Sequence, residues 1–345
     1  MKKISKTSRW NFATYLLVIL AYAVLQVMNG SLSSSLKGML VPICAYVVMA
    51  ISLNLTVGVL GELSLGHAGF MSMGAFCGTT AAIALADVIP SAPLRLLVAM
   101  VIGAVFAALA GFLIGIPVLR LNGDYLAIVT LAFGEIIKSI FNNLYVGVDS
   151  SGMHFSLLSD TTNLKEGGNL IIAGPMGIGS ISKISTFTAG FLLILVTLVV
   201  VFNLVNSRAG RAIMAIRDNR IAAESIGINI TKYKMMAFVT SAALAGAAGT
   251  LFAMNYSTIV ANKFDFNTSI LILVFVVLGG LGNMFGSIVA ASALTILPEA
   301  LRQFSNYRML VYAIVLILVM LVTNNPTLRS YLDRFTGKNR EKEGA

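Results

Sequence analysis

Residues Ser207–Lys234, SRAGRAIMAIRDNRIAAESIGINITKYK, lie between two long apolar segments, 186–206 and 235–256. The run carries six of the chain's 24 basic residues. Charged side chains are costly in hydrocarbon, so the run must be a loop or surface element at a membrane. The organisation of the chain follows from this contrast between one polar run and its apolar flanks.

The interior of this polar run has helical character. Apolar residues from Ala212 to Ile226 keep approximate helical spacing, and Gly227 stands where a helix would stop. Asp218 and Asn219 interrupt the spacing, which predicts two short helices joined at that dipeptide. A short amphipathic helix of this kind suits a groove on a soluble partner. The alternative is a solvated basic loop that obeys the charge-orientation rule.

Composition places most of the chain in lipid. Of 345 residues, 57% are hydrophobic and 11% are charged, and the mean hydropathy is +0.89. A soluble domain has about 25% charged residues. The sequence therefore predicts an all-α, polytopic membrane bundle, since the apolar runs are too long for barrel strands. We count ten apolar segments, some of them possibly broken helices: 11–28, 38–58, 65–86, 95–118, 124–142, 186–206, 235–257, 268–281, 285–300 and 308–324.

Basic residues give these segments an orientation. If the N-terminus lies in the cytoplasm and the segments cross the membrane alternately, the cytoplasmic connections hold sixteen Lys and Arg and the outer connections hold seven. This predicts one transmembrane domain, 1–345, embedded over 11–324 and with both termini cytoplasmic. Residues 207–234 and the tail 325–345 are then cytoplasmic, and 143–185 is extracytoplasmic. The net charge of +10 follows from this orientation rule and does not indicate nucleic-acid binding.

Glycines interrupt two of the apolar segments. The segment 268–281 is short for a full crossing and runs into Gly279, Gly280 and Gly282, and the second segment ends in a similar way at Gly58. Paired glycine-interrupted segments often mark broken helices near a translocation path. Ordinary tight turns between spans are the alternative interpretation.

Small residues recur every fourth position in two other segments, at Gly103, Ala107, Gly111 and Gly115, and at Ser241, Ala245 and Gly249. Such stripes let helix backbones approach closely in a bilayer and predict a compact bundle.

The connection 143–185 is rich in Gly, Ser, Asn and Asp. Its length and composition predict either a platform for an extracellular partner or a flexible excursion, that is, a loop without fixed structure.

No catalytic constellation is evident. The chain lacks a nucleotide-binding loop, an H-E-x-x-H and a G-x-S-x-G, and its two His lie far apart in the sequence. Cys44 and Cys77 fall in apolar segments and are interpreted as core residues. We therefore expect a chain without enzymatic activity, bound metal or cofactor.

Ionisable residues within the spans are few, and each is a site candidate. Glu135 and Lys138 stand at i,i+3 on one helix face, so we favour a neutralising pair over a proton relay. Glu62 and His67 flank the start of the third segment. His67 is interpreted as an interhelical hydrogen-bond partner rather than a proton carrier.

Several motifs then occur together, in order, between residues 45 and 322. They are LSLGHAGF at 63–70, YLAIVTLAFGEI at 125–136, RAGRA at 208–212, AIRD at 215–218, AAESIGIN at 222–229, VLGGLG at 277–282 and LPE at 297–299. This series resembles the permease subunits of branched-chain amino-acid ABC importers, and specifically the M-type of their two unlike permeases.

The resemblance implies a function for the chain. It would form half of a pore in the bacterial cytoplasmic membrane, beside a second related permease, two ATPase subunits holding ATP and Mg²⁺, and an extracytoplasmic substrate-binding protein. Residues 207–234 would couple to the ATPase. The coupling residues would be Arg211, Arg217, Asp218, Ala222, Ala223, Glu224 and Gly227. Candidates for the translocation path or for structural roles are Glu62, Ser64, His67, Glu135, Lys138, Gly279, Gly280 and Gly282.

Three features depart from the family pattern. Glu62 stands where Gln is common, the connection 143–185 is longer than expected, and Asn325–Arg329 replaces a basic Pro-Gly tail. The expected cargo is leucine, isoleucine and valine, with urea, short amides or other amino acids as alternatives. A stand-alone secondary transporter or channel is a further alternative, and a membrane-embedded enzyme is the least favoured.

Overall fold

The computed structural model describes residues 6–28, 34–121, 123–149, 152–157 and 169–301, and the single positions 310, 313, 314 and 317. In this part of the chain the helices are α1 Lys6–Met28, α2 Ser34–Asn54, α3 His67–Ala84, α4 Ala92–Val118, α5 Asp124–Asn143, α6 Phe187–Asn206, α7 Arg208–Asp218, α8 Arg220–Ser225, α9 Ile230–Ala253, α10 Phe266–Gly279 and α11 Met284–Ala300. A π-helical turn, Leu55–Leu60, continues α2.

Nine of the ten predicted apolar segments coincide with helices, and the tenth, 308–324, lies largely outside the described residues. The helical membrane class is therefore confirmed, whereas the count of ten spans and the location of the termini stay predictions. Within the described residues, five stretches are long and apolar enough to cross a bilayer: Ser34–Leu60, Ala92–Val118, Phe187–Asn206, Ile230–Ala253 and Ala261–Gly279.

Backbone contacts divide the chain into two compact units, Met1–Ser292 and Ala293–Ala345. The first unit contains α1 to α10, a small sheet and the beginning of α11. The second contains the end of α11 and the residues that follow. One permease domain over the whole chain stays a prediction.

Helices α3, α4 and α9 form the most closely packed part of the first unit. A side chain at Gly74 would overlap the backbone of Gly246, and the Thr250 hydroxyl donates a hydrogen bond of 2.8 Å to the Gly74 carbonyl. A side chain at Gly103 would in turn overlap Thr250. Lipid supplies no hydrophobic drive between helices, so this close backbone approach is what holds the three together.

Both predicted stripes of small residues lie in these contacts. On α4, Gly111 faces Ala242 and Gly115 faces Met235, while on α9, Gly249 meets the backbone of Met71. The stripes therefore serve helix packing, as predicted.

The connection after α5 contains a sheet that the sequence analysis did not predict. Strands β1 Leu144–Asp149, β2 Gly152–Leu157 and β3 Asn169–Ala173 form an antiparallel sheet in the order β2-β1-β3. Backbone bridges from Ile178 to Ile172 of β3 and to Ile259, six residues beyond the end of α9, connect the sheet with the bundle. The described strands of 143–185 are thus ordered structure attached to the bundle, and not the flexible excursion of the alternative interpretation.

Helix α6 separates this sheet from the polar helices. The sheet precedes the first residue of α6, and α7 follows its last residue after Ser207 alone. Since α6 has 20 residues, its two ends lie about 30 Å apart along its axis. The chain therefore places its two largest polar connections at opposite ends of one apolar helix.

Candidate functional site

Side-chain caps define the two polar helices. The Ser207 hydroxyl accepts a hydrogen bond from the Gly210 amide at 3.1 Å, and this cap starts α7. The Asn219 side chain accepts from the Ala222 amide at 3.0 Å and starts α8. The predicted break at Asp218-Asn219 is confirmed, and its cause is the extended backbone of Asn219, with φ −155°.

The end of α8 is a left-handed turn. Gly227 has φ +83°, its amide donates to the Glu224 carbonyl at 3.0 Å, and the Ile228 amide donates to the Ala223 carbonyl at 3.1 Å. A glycine adopts this conformation without steric cost. The predicted helix stop at Gly227 is confirmed.

The polar segment has a small core of its own. Ile216, Ala223 and Ile230 are buried together, with Ile228 and Tyr233 packed against them. Ala223 is 2% exposed. The Ala223 methyl group therefore faces this core, whereas the Ala222 side chain is exposed. A role of either alanine in coupling stays a prediction.

Exposed apolar side chains lie on the outside of the same segment. Ile221 is 78% exposed and Ile226 is 76% exposed, and they flank the exposed residues Ala222, Glu224 and Ser225. Neither isoleucine was singled out as a site residue from the sequence, and Ile226 was counted only among the apolar residues with helical spacing. Their exposure shows that α8 turns an apolar surface outward.

Arg217 fastens this segment to the bundle. Its Nη1 donates to the Gly58 carbonyl at 3.1 Å, and Nη2 donates to Asp218 Oδ1 at 2.9 Å. The aliphatic stem of Arg217 fills the space beside Gly61, whose φ is +81°. By contrast, Arg211 is exposed and bonds only locally in the described contacts, through Nη1 to the Asn206 carbonyl at 3.3 Å.

Glu62 and Lys234 form a buried ion pair close to this anchor. The Lys234 side chain is 2% exposed and the Glu62 side chain 13%. Glu62, a candidate for the translocation path or a structural role, thus holds the start of α9 against the residues that follow the π-helical turn. Lys234 was counted among the basic residues but its partner, 172 positions away, left no local signal.

The motif around Ser64 and His67 brings backbones together. The Leu65 amide donates to the Thr130 hydroxyl at 3.1 Å, and a side chain at Gly66 would overlap the Thr130 carbonyl. His67 Nε2 lies 2.8 Å from the Ser52 hydroxyl, as expected of an interhelical hydrogen-bond partner. The Ser64 hydroxyl is buried and has no hydrogen-bond partner among the described residues.

The two glycine-interrupted stretches meet each other. Asn54 Oδ1 accepts from the Gly282 amide at 2.8 Å, and Asn54 Nδ2 donates to the Ser287 hydroxyl at 2.8 Å. A side chain at Gly58 would overlap both Asn54 and Gly282. Neither Asn54 nor Ser287 was singled out from the sequence, although a buried Asn in an apolar helix is a usable signal.

The turn between α10 and α11 is compact. A side chain at Gly279 would overlap the backbone of Ser287, and Gly280 and Gly282 have φ +93° and +79°. These conformations strain any residue with a side chain. The structure therefore assigns the glycines of this stretch a close backbone contact, and a direct role in translocation stays a prediction.

Glu135 and Lys138 form the predicted ion pair on α5. Their side chains are 39% and 24% exposed. Glu135 lines a small cleft with Leu65, Gly134 and Ser269, close to where α10 begins. The neutralising interaction favoured over a proton relay is present.

Apolar helices long enough to cross a bilayer, a π-helical turn at Leu55–Leu60 and a polar segment fastened to it describe a multi-pass membrane protein. The family model described as the permease component of the branched-chain amino acid transport system matches residues 35–320. The chain belongs to this family and is a multi-pass protein of the cytoplasmic membrane.

Curated relatives agree with the family model. The chain is 35% identical to the high-affinity branched-chain amino acid transport system permease protein LivM of Salmonella typhimurium, over 90% of this chain and 72% of that relative. It is 36% identical to the LivM of Escherichia coli, over 80% and 66% of the respective lengths.

A more distant relative is named for a different substrate. The chain is 28% identical to the fructose import permease protein FruG of Bifidobacterium longum, over 68% of this chain and 67% of that relative. No solved structure matches the chain.

Proposed function

We propose that the chain is one permease subunit of an ATP-driven importer for leucine, isoleucine and valine, and that α7 and α8 dock on an ATPase subunit. The exposure of Ile221 and Ile226 carries this proposal. Both side chains lie on a short, charged segment outside the apolar helices, where only a protein partner would cover them.

The partners follow from the family. A second related permease forms the other half of the pathway, and a binding protein delivers substrate on the side of the sheet. ATP and Mg²⁺ are held by two ATPase subunits, and this chain holds no cofactor. The branched-chain relatives support this composition, because they are permease proteins of a transport system.

Substitution of an exposed isoleucine tests docking. We expect Ile221→Asp to leave the membrane helices intact, because the side chain has no buried contacts, and to abolish co-purification of the ATPase subunits together with leucine uptake in vesicles. Met176→Asp is the matched control, since Met176 is 76% exposed but lies at the sheet end of the chain. Full assembly and uptake in the Ile221 variant would overturn the docking assignment.

Substrate choice is tested by competition in the same vesicles. We expect unlabelled isoleucine and valine to compete with labelled leucine, and fructose or urea to have no effect. Competition by fructose without competition by valine would move the assignment toward the sugar importers that the FruG relative represents.

The orientation is tested at Ser225, which is exposed on α8. We expect Ser225→Cys to react with a membrane-impermeant maleimide only in inverted vesicles. A cysteine placed at Met176 should react in intact cells. Labelling of Ser225→Cys from outside intact cells would contradict the cytoplasmic location of α7 and α8.

A further inference from the structure

The π-helical turn Leu55–Leu60 is an uncommon element at a central position. It begins after Asn54 and ends at Gly61, where the backbone turns left-handed with φ +81°. π-Helical turns are rare and occur frequently at functional sites. All six residues of this turn are buried, so any change in it must be transmitted by direct contacts.

The polar segment holds the C-terminal end of this turn in two places. Arg217, on α7, donates to the Gly58 carbonyl at 3.1 Å. Lys234, at the start of α9, forms the buried pair with Glu62, one residue beyond Gly61. A displacement of the polar segment therefore acts on the turn through both contacts.

Arg217 suits this contact because the Gly58 carbonyl needs a donor from outside the helix. The Glu62 amide, which an α-helix would direct to Gly58, instead donates to the Thr56 carbonyl at 3.1 Å. The guanidinium takes its place and brings a charge, which makes the hydrogen bond stronger than a neutral one. The contact is thus specific to a long, charged side chain.

The N-terminal end of the turn is connected to another glycine-rich element. Asn54 precedes the turn and bonds both the Gly282 amide and the Ser287 hydroxyl, at 2.8 Å each. These partners belong to the turn between α10 and α11 and to the first residues of α11. A continuous series of hydrogen-bonded elements thus runs from α7 to that turn.

We propose that Arg217 is the positioning residue that transmits movement of α7 and α8 to the π-helical turn and, through Asn54, to the α10–α11 turn. This rests on the proposed function, in which ATPase closure moves the polar segment. Arg217 contacts neither nucleotide nor substrate in this scheme. Arg217 determines how often an ATPase cycle leads to a rearrangement of the membrane helices, and therefore how much leucine is transported per ATP hydrolysed.

The test uses the complete importer, with both permeases and the ATPase subunits, reconstituted in liposomes with its binding protein. Arg217→Met keeps the apolar stem beside Gly61 and removes the donors to Gly58 and Asp218. Arg208→Met is the matched control, because Arg208 is an exposed arginine on the same helix. Leucine uptake and ATP hydrolysis are measured together, and their ratio is the readout.

We expect Arg217→Met to assemble with the ATPase subunits and to hydrolyse ATP at a rate close to that of the wild type. Leucine transported per ATP should fall by about tenfold, the effect of losing one hydrogen bond to a charged group. Arg217→Lys should recover part of the ratio, since a lysine still supplies a charged donor. Equal ratios in Arg217→Met and Arg208→Met would overturn the proposal.

A double substitution tests the path through Asn54. Ser287→Ala removes the acceptor on α11, and it should lower the ratio on its own. If both residues act along one path, adding Ser287→Ala to Arg217→Met should have little further effect. Independent, multiplying effects would contradict the path.

Failure of this inference differs from failure of the proposed function. If the wild-type complex does not assemble or does not transport leucine, the proposed function is wrong. If the wild type is coupled and Arg217→Met keeps its ratio, the importer assignment stands and only the role of Arg217 is wrong.

Discussion

Two Lys–Glu pairs in this chain have the same chemistry and different surroundings. Glu135 and Lys138 belong to one helix, three positions apart, and their side chains are 39% and 24% exposed. Glu62 and Lys234 come from separate elements, and their side chains are 13% and 2% exposed. The first pair neutralises charge within α5, whereas the second also fixes the relative position of two elements.

The difference teaches that burial decides what an ion pair does. An ion pair within one helix stabilises that helix by a few tenths of a kcal/mol in water. Within a membrane span, the pair avoids the larger cost of a charge that has no counter-charge. A buried pair need not add net stability over apolar residues, but breaking it leaves one charge without a partner. The two pairs should therefore respond differently to the same kind of substitution.

The largest effect is expected at the buried pair. Lys234→Met should lower the free energy of unfolding by about 3–5 kcal/mol, because the Glu62 carboxylate stays buried and unpaired. Thermal unfolding of the purified protein in detergent measures this. Adding Glu62→Gln, which also restores the residue common in the family, should recover most of the loss. No recovery in the double variant would show that the pair is not the cause.

An intermediate effect is expected on α5. Glu135→Gln leaves Lys138 without its counter-charge in the membrane, at a cost of about 2.5 kcal/mol on insertion scales. The folded yield in membranes should fall, and Glu135→Gln with Lys138→Gln should recover part of it. Equal loss of leucine uptake in the single and double variants, with normal yield, would indicate a transport role instead.

The smallest effect is expected at the exposed pair of Arg217 and Asp218. The Asp218 side chain is 68% exposed, and surface pairs contribute about 0.5 kcal/mol or less. Asp218→Asn should therefore leave the unfolding temperature nearly unchanged in a thermal melt. A large decrease would mean that Asp218 orients Arg217 for its bond to Gly58, and would extend the comparison to a third pair.

Local patterns in the sequence were enough for the helices and for contacts within them. Hydropathy located nine segments, the dipeptide Asp218-Asn219 marked a helix break, and the i,i+3 spacing of Glu135 and Lys138 predicted their pair. Each of these signals comes from residues within one or two helical turns of each other. Such features are determined by local geometry, and they can therefore be predicted from the sequence.

Contacts between distant elements were not predicted. The Glu62–Lys234 pair and the Asn54 bonds to Gly282 and Ser287 join positions more than 170 residues apart, and no periodic pattern links them. The burial of Ala223 was not predicted, because two short helices leave its orientation to tertiary packing. The strands after α5 were missed because Gly- and Ser-rich segments carry weak strand signals.

Backbone contact between α3 and α9 also decides which amides exchange with solvent deuterium. Where Gly74 meets Gly246, neither helix can open without separating from the other, so the two behave as one cooperative unit. Exchange should be fastest in α8, whose hydrogen bonds face water, and slowest around Gly74–Gly78 and Gly246–Thr250. Deuterium uptake would thus divide the molecule into a part that keeps its shape through a transport cycle and a part that is free to change it.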